Sequence, residues 1–244
     1  MLHIKQEHIL SDVVQEHISL IPILSRFGIR LGLKELTIQE ICEAKGLDTD
    51  FLLHILNSYL DPDFKGALSL TPERALLLAD YMERSNAFYR FAQLPNIEVH
   101  LHSFVKRSSQ GNPAIQTVPH VLTELKRSLT ARVEADEKEL LPHFRELASD
   151  LGRRITGLSD SVLVVDGSQL DVEAEDRSEA LLSDVMQVLV RHISGDFDDN
   201  LIYGLLYSLN ALKIDLESNN RLRQSTLLPI LHLMEQAESQ SREE

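Results

Sequence analysis

Tryptophan is absent, cysteine occurs once, and aromatic residues make up only 5 % of the 244-residue chain. A single cysteine excludes a disulfide framework and any Cys-rich zinc or iron–sulfur site. Cys42 stands among Ile38, Ile41 and Leu47, which reads as a small buried hydrophobe. Apolar runs stop well short of the roughly 18 residues of a membrane span, and "MLHIKQEHILSD" is too polar for a signal peptide. No membrane association and a cytoplasmic location are therefore expected. Positive charge is also scarce: 24 Lys and Arg against 38 Asp and Glu give a net charge of −14. Nucleic-acid affinity comes largely from clustered Lys and Arg, so a phosphate backbone is disfavoured as a partner. The chain has no Gly-rich phosphate loop, nucleophile elbow or metalloprotease motif, and no enzyme activity is expected.

What is present is leucine and alanine at helical spacing almost throughout, which predicts an all-α fold. The length suffices for a real core without staples. Two regions are expected: a small helical N-terminal domain over 1–62 and a four-helix bundle over 71–238. In the first, a helix spans about 4 to 26 and "FGIRLGLKEL" turns the chain on two glycines. Thr37 with Glu40 forms a capping box, and Asp48 caps the next helix, which runs to Tyr59. In the second, Thr71 and Pro72 start a helix from 72 to about 106, kinked at Pro95. Further helices are expected over about 114–149, 170–193 and 197–238, the last fraying at "ESQSREE". "SVLVV" (161–165) is β-prone but isolated, and is expected to be an extended packed segment. Four such helices bury their apolar faces best as an up-down-up-down bundle.

The second and fourth bundle helices share a spaced pattern. Arg132, Asp136 and Pro142 stand four and six apart, and Asn219, Arg223 and Pro229 repeat those spacings. Each proline follows a Leu-Leu pair, in "ARVEADEKELLPHF" and "DLESNNRLRQSTLLPIL". Residues four apart share a helix face, so each helix aims a polar pair in one direction before its proline. With "NAFYRFAQLPNI" in the first helix, the region 71–238 resembles the hemerythrin-like (HHE cation-binding) domain of bacterial proteins, whose helices hold a non-haem di-iron centre. The resemblance places the first-helix His on Asn86, the second-helix pair on Arg132 and Asp136, the third-helix His near Glu175, and the fourth-helix pair on Asn219 and Arg223. Only Asp136 keeps a ligand type in its role, Glu175 is a carboxylate in place of an imidazole, and no histidine stands at any of these positions. Arg is permanently cationic and cannot ligate iron. A metal-free core is therefore expected, with Arg132 and Arg223 facing Asp136 and Glu175 and the two asparagines bridging.

Residues 23–56 resemble the small N-terminal domain of di-iron proteins that repair iron–sulfur clusters. The match rests on Phe27-Gly28-Ile29 and on Ile41 to Leu47, and that family's adjacent cysteines fall on Gly32 and Leu33. Both modules thus resemble a family's scaffold without its reactive groups. The expected function is a non-catalytic regulatory or protein-interaction role, with a protein partner and no cofactor. One alternative is a metal protein of oxygen or nitric oxide sensing, or of the iron–sulfur stress response, using Asp136, Glu175, His120 and His100 on non-haem iron. A second is a DNA-binding regulator using a helix-turn-helix over 37–60, with Thr49, Asp50, Leu53, His54 and Asn57 toward bases. That second helix has no Lys or Arg, which weighs against it. His3 with Glu7, His8 with Asp12, and His120 with Glu124 are spaced as i,i+4 pairs, yet a metal needs more ligands than two. They are expected on solvated faces, and His100, His102, His143 and His192 as structural or exposed.

Overall fold

The computed structural model describes residues 3–64, 66, 69–108, 113–155, 163–164, 177–193 and 196–243. These residues are all but entirely helical. In chain order they form α1 (Leu10–Glu16), a 3-10 turn (Ile18–Leu20), α2 (Ile21–Arg26), α3 (Ile38–Lys45), α4 (Thr49–Leu60), β1 (Ser69–Leu70) and α5 (Pro72–Phe88). A π turn (Tyr89–Gln93) joins α5 to α6 (Leu94–Arg107), and α7 (Pro113–Ala135) runs through a second π turn (Asp136–Leu140) into α8 (Leu141–Ile155). After β2 (Leu163–Val164) come α9 (Arg177–His192), α10 (Asp199–Leu222), a third π turn (Arg223–Leu227) and α11 (Leu228–Glu243). No described helix is long and apolar enough to cross a membrane.

Contacts group the chain into two compact units. One comprises 1–84, 142–172 and 218–244, the other 85–141 and 173–217. Three of the four divisions, at 84/85, 141/142 and 217/218, fall inside helices within about a turn and a half of a π turn, and the fourth lies outside the described residues.

In the first unit the expected caps form. Thr37 accepts from the Glu40 N–H while the Glu40 side chain accepts from the Thr37 N–H, closing the capping box. The Asp48 side chain accepts from the Phe51 N–H at 2.9 Å. Thr71 Oγ1 accepts from the Arg74 N–H, and Pro72 opens α5. Gly46 ends α3 at φ +64, a left-handed value that a residue with a Cβ adopts at a cost. Two expectations are corrected. The helix over 4–26 is not continuous: it begins at Leu10 and breaks at His17, whose φ −132 and ψ 71 leave the helical range before a 3-10 turn. "SVLVV" is not isolated where it is described, since Leu163–Val164 pairs antiparallel with Ser69–Leu70 and satisfies its backbone groups there. The helix at the C-terminus, expected to fray, continues through Glu243.

The kink expected at Pro95 is a π turn, and the same device recurs twice. Proline has no N–H and its ring crowds the carbonyl four residues back, at about 3 kcal/mol in an ordinary helix interior. Here the leucine before each proline donates five residues back instead: Leu94 to Tyr89, Leu141 to Asp136, and Leu228 to Arg223. The wider turn makes room for the ring.

In the second unit, one apolar core gathers Tyr89, Leu94, Ile97 and Phe104, then Val118, Leu122, Leu125, Leu129 and Val133 of α7. It continues with Leu182, Val185 and Leu189 of α9 and five residues of α10 from Ile202 to Leu216. Four helical segments supply it, and α7 and α9 lie along each other.

Asp48 supports α4 in two ways. Burial pushes its carboxyl up, but bonds from Arg74 and the Phe51 N–H outweigh this and hold it below the ordinary value. Asp48→Ala should cost about 1–2 kcal/mol in urea unfolding, and Asp48→Asn, which keeps the cap, should cost less. Burial also pushes the His54 imidazole down to about 4. The unfolded chain takes up this proton near the ordinary value of about 6.5, so stability is full above that pH and falls as the pH drops toward 4, by on the order of 3 kcal/mol. His54→Leu should flatten the pH dependence of the unfolding midpoint across that window.

Candidate functional site

The π turns fix where polar side chains meet the interior. Aligned on the three prolines, the positions ten and six before them are Ser85 and Tyr89, Arg132 and Asp136, and Asn219 and Arg223. The residue six before the proline opens the π turn in each case. The resemblance gives the first-helix position to Asn86, one residue after Ser85; Ser85 and Asn86 are both buried.

Within the second unit, Asp136 is 2 % exposed and Asn86 1 %. Arg132 Nε lies 4.0 Å from Asp136 Oδ2, with both side chains largely out of water. This is the ion pair expected between these two residues. Just beyond it, Arg90 Nη1 donates to Glu137 Oε2 at 3.0 Å, tying the first π turn to the second. Tyr89 Oη donates to the Asp215 carbonyl at 3.4 Å, and Gln93 Nε2 to the Ser208 carbonyl at 3.0 Å, tying it to α10. The bridging role expected of Asn86 is not seen among the described residues, where its Oδ1 and Nδ2 are both sealed from solvent with no hydrogen-bond partner.

In the first unit, Asn219 is buried and its Nδ2 lies 3.6 Å from the Met82 sulfur. Arg223 opens the third π turn and its carbonyl accepts from Leu228. Glu175 lies outside the described residues. The spacing argument missed Asp215, which is 3 % exposed and stands four residues before Asn219 on the same helix. The signal was available, since Asp215, Asn219 and Arg223 continue one four-residue period.

These donors do not fit a di-iron centre. Carboxylates are present at Asp136 and Asp215, but Asn86, Arg132 and Asn219, to which the resemblance would assign imidazoles, supply none, and a guanidinium 4.0 Å from Asp136 neutralises the charge a cation would need. Among the described residues no three His, Cys, Asp or Glu side chains are grouped to hold a metal ion. His120 is exposed, and His100 packs where a Cβ on Gly204 would stand only 3.0 Å from its Nδ1. His143 pairs with Glu235 at 3.0 Å.

The α3–α4 pair is joined by a three-residue turn, yet its reading side is spent internally. Asn57 is buried, exchanging hydrogen bonds with the Ile4 backbone, and His54 Nε2 is sealed. Arg74 ties down Asp48 and Asp50 at 2.7 and 2.9 Å at the start of α4, the end that would face bases. The cysteine positions of the N-terminal resemblance are equally changed. Gly32 takes φ +95, which strains any residue with a Cβ, and burial raises the pKa of the lone thiol, Cys42.

The fold thus defines the class: an all-α protein with π-turned long helices and a charged pair in its interior. No protein-family model, curated protein or solved structure matches the chain.

Removing one member of the buried pair takes from the other the opposite charge beside it. Arg132→Ala should therefore destabilise by about 3–5 kcal/mol, while the double change Arg132→Leu with Asp136→Leu should cost far less, as read from urea unfolding midpoints.

Proposed function

We propose that the chain is a hemerythrin-like four-helix bundle with a small helical N-terminal domain, which works without metal in a non-catalytic, regulatory role through protein contact. The observation that carries this reading is the Arg132–Asp136 pair. At a position the resemblance gives to a metal ligand stands a permanent cation, 4.0 Å from the one carboxylate kept in its ligand role. The core of the second unit, supplied by four helical segments, supports the bundle. Gly32 and the buried Cys42 support a parallel loss of thiol chemistry in the N-terminal domain. Such a protein keeps the family's shape as a contact surface while charge pairing fills the space of the metal.

The test is metal analysis of protein purified from iron-supplemented culture. The expected result is far less than one iron per chain and no oxo-bridge absorption. About two irons per chain, the content of a carboxylate-bridged pair, would overturn it.

A further inference from the structure

A cavity of about 230 Å³ opens in the first unit, between the segment before α1 and the C-terminal ends of α1 and α4. Ile4 and Leu60 give it an apolar wall, and His3, Glu16, His17 and Asp61 a polar one. The buried Asn57 holds this frame together. Its Oδ1 accepts from the Ile4 N–H at 2.7 Å, and its Nδ2 donates to the Ile4 and Leu53 carbonyls at 3.0 and 2.9 Å. The Phe64 ring meets the His3 ring edge to face, 5.2 Å between centroids. These contacts set the walls in place before a ligand arrives, which lowers the cost of binding one.

No Lys or Arg lines the cavity. With the imidazoles neutral, its lining carries two negative charges and no positive one. A second cavity in the same unit shows the ordinary balance, since Arg26 and Arg84 line it together with Asp48 and Asp80. Those two carboxylates are moreover held by Arg74 and Arg145. Asp61 has no such cation. Its Oδ1 accepts from the Asp63 N–H at 2.9 Å, while its Oδ2 stands 3.8 Å from His3 Nε2, beyond hydrogen-bond reach. A nitrogen donor seated between the two would reach both. Glu16 enters no ion pair among the described residues. The helix ends add to the field: their last carbonyls carry partial negative charge, ordinarily met by Lys or Arg in the last turn, and neither α1 nor α4 has one there.

We propose that this cavity binds an aliphatic primary ammonium, either a small free amine or the side chain of a lysine. An ammonium has three donors and no acceptor, which suits a lining whose carboxylates only accept. The head sits between Asp61 and His3, Glu16 supplies the second negative charge, and the methylene stem lies along Ile4 and Leu60. A bare divalent cation fits less well. Among the described residues no three His, Cys, Asp or Glu side chains are grouped to hold one, and an ion gains nothing from Ile4 and Leu60. The volume lies below the roughly 300–1,000 Å³ of pockets for drug-sized ligands, the scale of one short amine chain. The proposal is separate from the metal-free reading, since neither Arg132 nor Asp136 lines the cavity.

Ligand-observed NMR on the full chain at about pH 8, where imidazole is ordinarily uncharged, tests it with two probes. They are pentylamine, and Nα-acetyl-lysine methylamide, whose side chain is its only amine. Saturable binding of at least one, with Kd on the order of 1 mM or below, is the expected result, weakened by added salt. Binding of pentylamine alone identifies a free amine as the ligand, and binding of the lysine derivative a side chain. Pentanol, which lacks the charge, should not bind. Glu16→Gln and Asp61→Asn should each raise Kd about three- to tenfold, and the double variant should lose measurable binding with unchanged helical circular dichroism. Glu7→Gln, an exposed carboxylate outside the cavity, should leave Kd as it is. Absence of saturable binding of either amine at millimolar concentrations would overturn the proposal, as would a folded double variant that binds as tightly as the wild type. Neither outcome bears on iron content, so this proposal and the metal-free reading fail separately.

Discussion

A proline inside a long helix removes one backbone donor and presses its ring against the carbonyl four residues earlier. This chain meets that constraint three times, at Pro95, Pro142 and Pro229, and each time it passes the bond to the preceding leucine and widens the turn. A wider turn takes in one extra residue, so the inward face shifts by one position as the chain passes through. The buried residues show the step: Tyr89 is followed by Leu94 and Asp136 by Leu141, five positions where an unbroken helix would give three or four. The residue at the start of the first two turns is thereby committed to the interior whatever its polarity. Tyr89 has a hydroxyl and Asp136 a carboxylate, and each finds a bond there.

That commitment explains why Asp136 lies in the interior of this acidic protein. Asp136 is carried inside by backbone geometry, and an unpaired carboxylate there would cost several kcal/mol. Arg132, one turn earlier on the same face, offsets it. Both come from one helix, so the pair needs no distant element to be in register. Asn86 is the contrary case. Its carboxamide is sealed without a partner, and a polar group so placed normally weakens a core. Nothing else among the described residues explains why asparagine stands there.

Much of this was legible in the sequence. Thr37 with Glu40, Asp48, and Thr71 before Pro72 cap helices as their spacing says, because a cap depends on residues within one turn. The Arg132–Asp136 pair was legible for the same reason. What local pattern could not carry was the break at His17 and the pairing of Leu163–Val164 with Ser69–Leu70, which depends on contacts far apart in the chain. Asn86 is the first-helix position that the resemblance gives; aligned on the three Leu-Pro steps, Ser85 and Tyr89 stand at the matching positions, and all three residues are buried.

The outer face of α10 stands apart from these local devices. Every other local device here answers an unsatisfied group within the chain: caps answer free N–H groups, π turns answer a missing donor, and Arg132 answers a buried carboxylate. Among the described residues, Tyr203 and Tyr207 answer no such group: their rings stand in water over a stretch with no charge. The chain's surplus of fourteen negative charges lies elsewhere. The inward packing of Ile202, Leu205, Leu209 and Leu212 fixes which side of α10 that uncharged stripe takes.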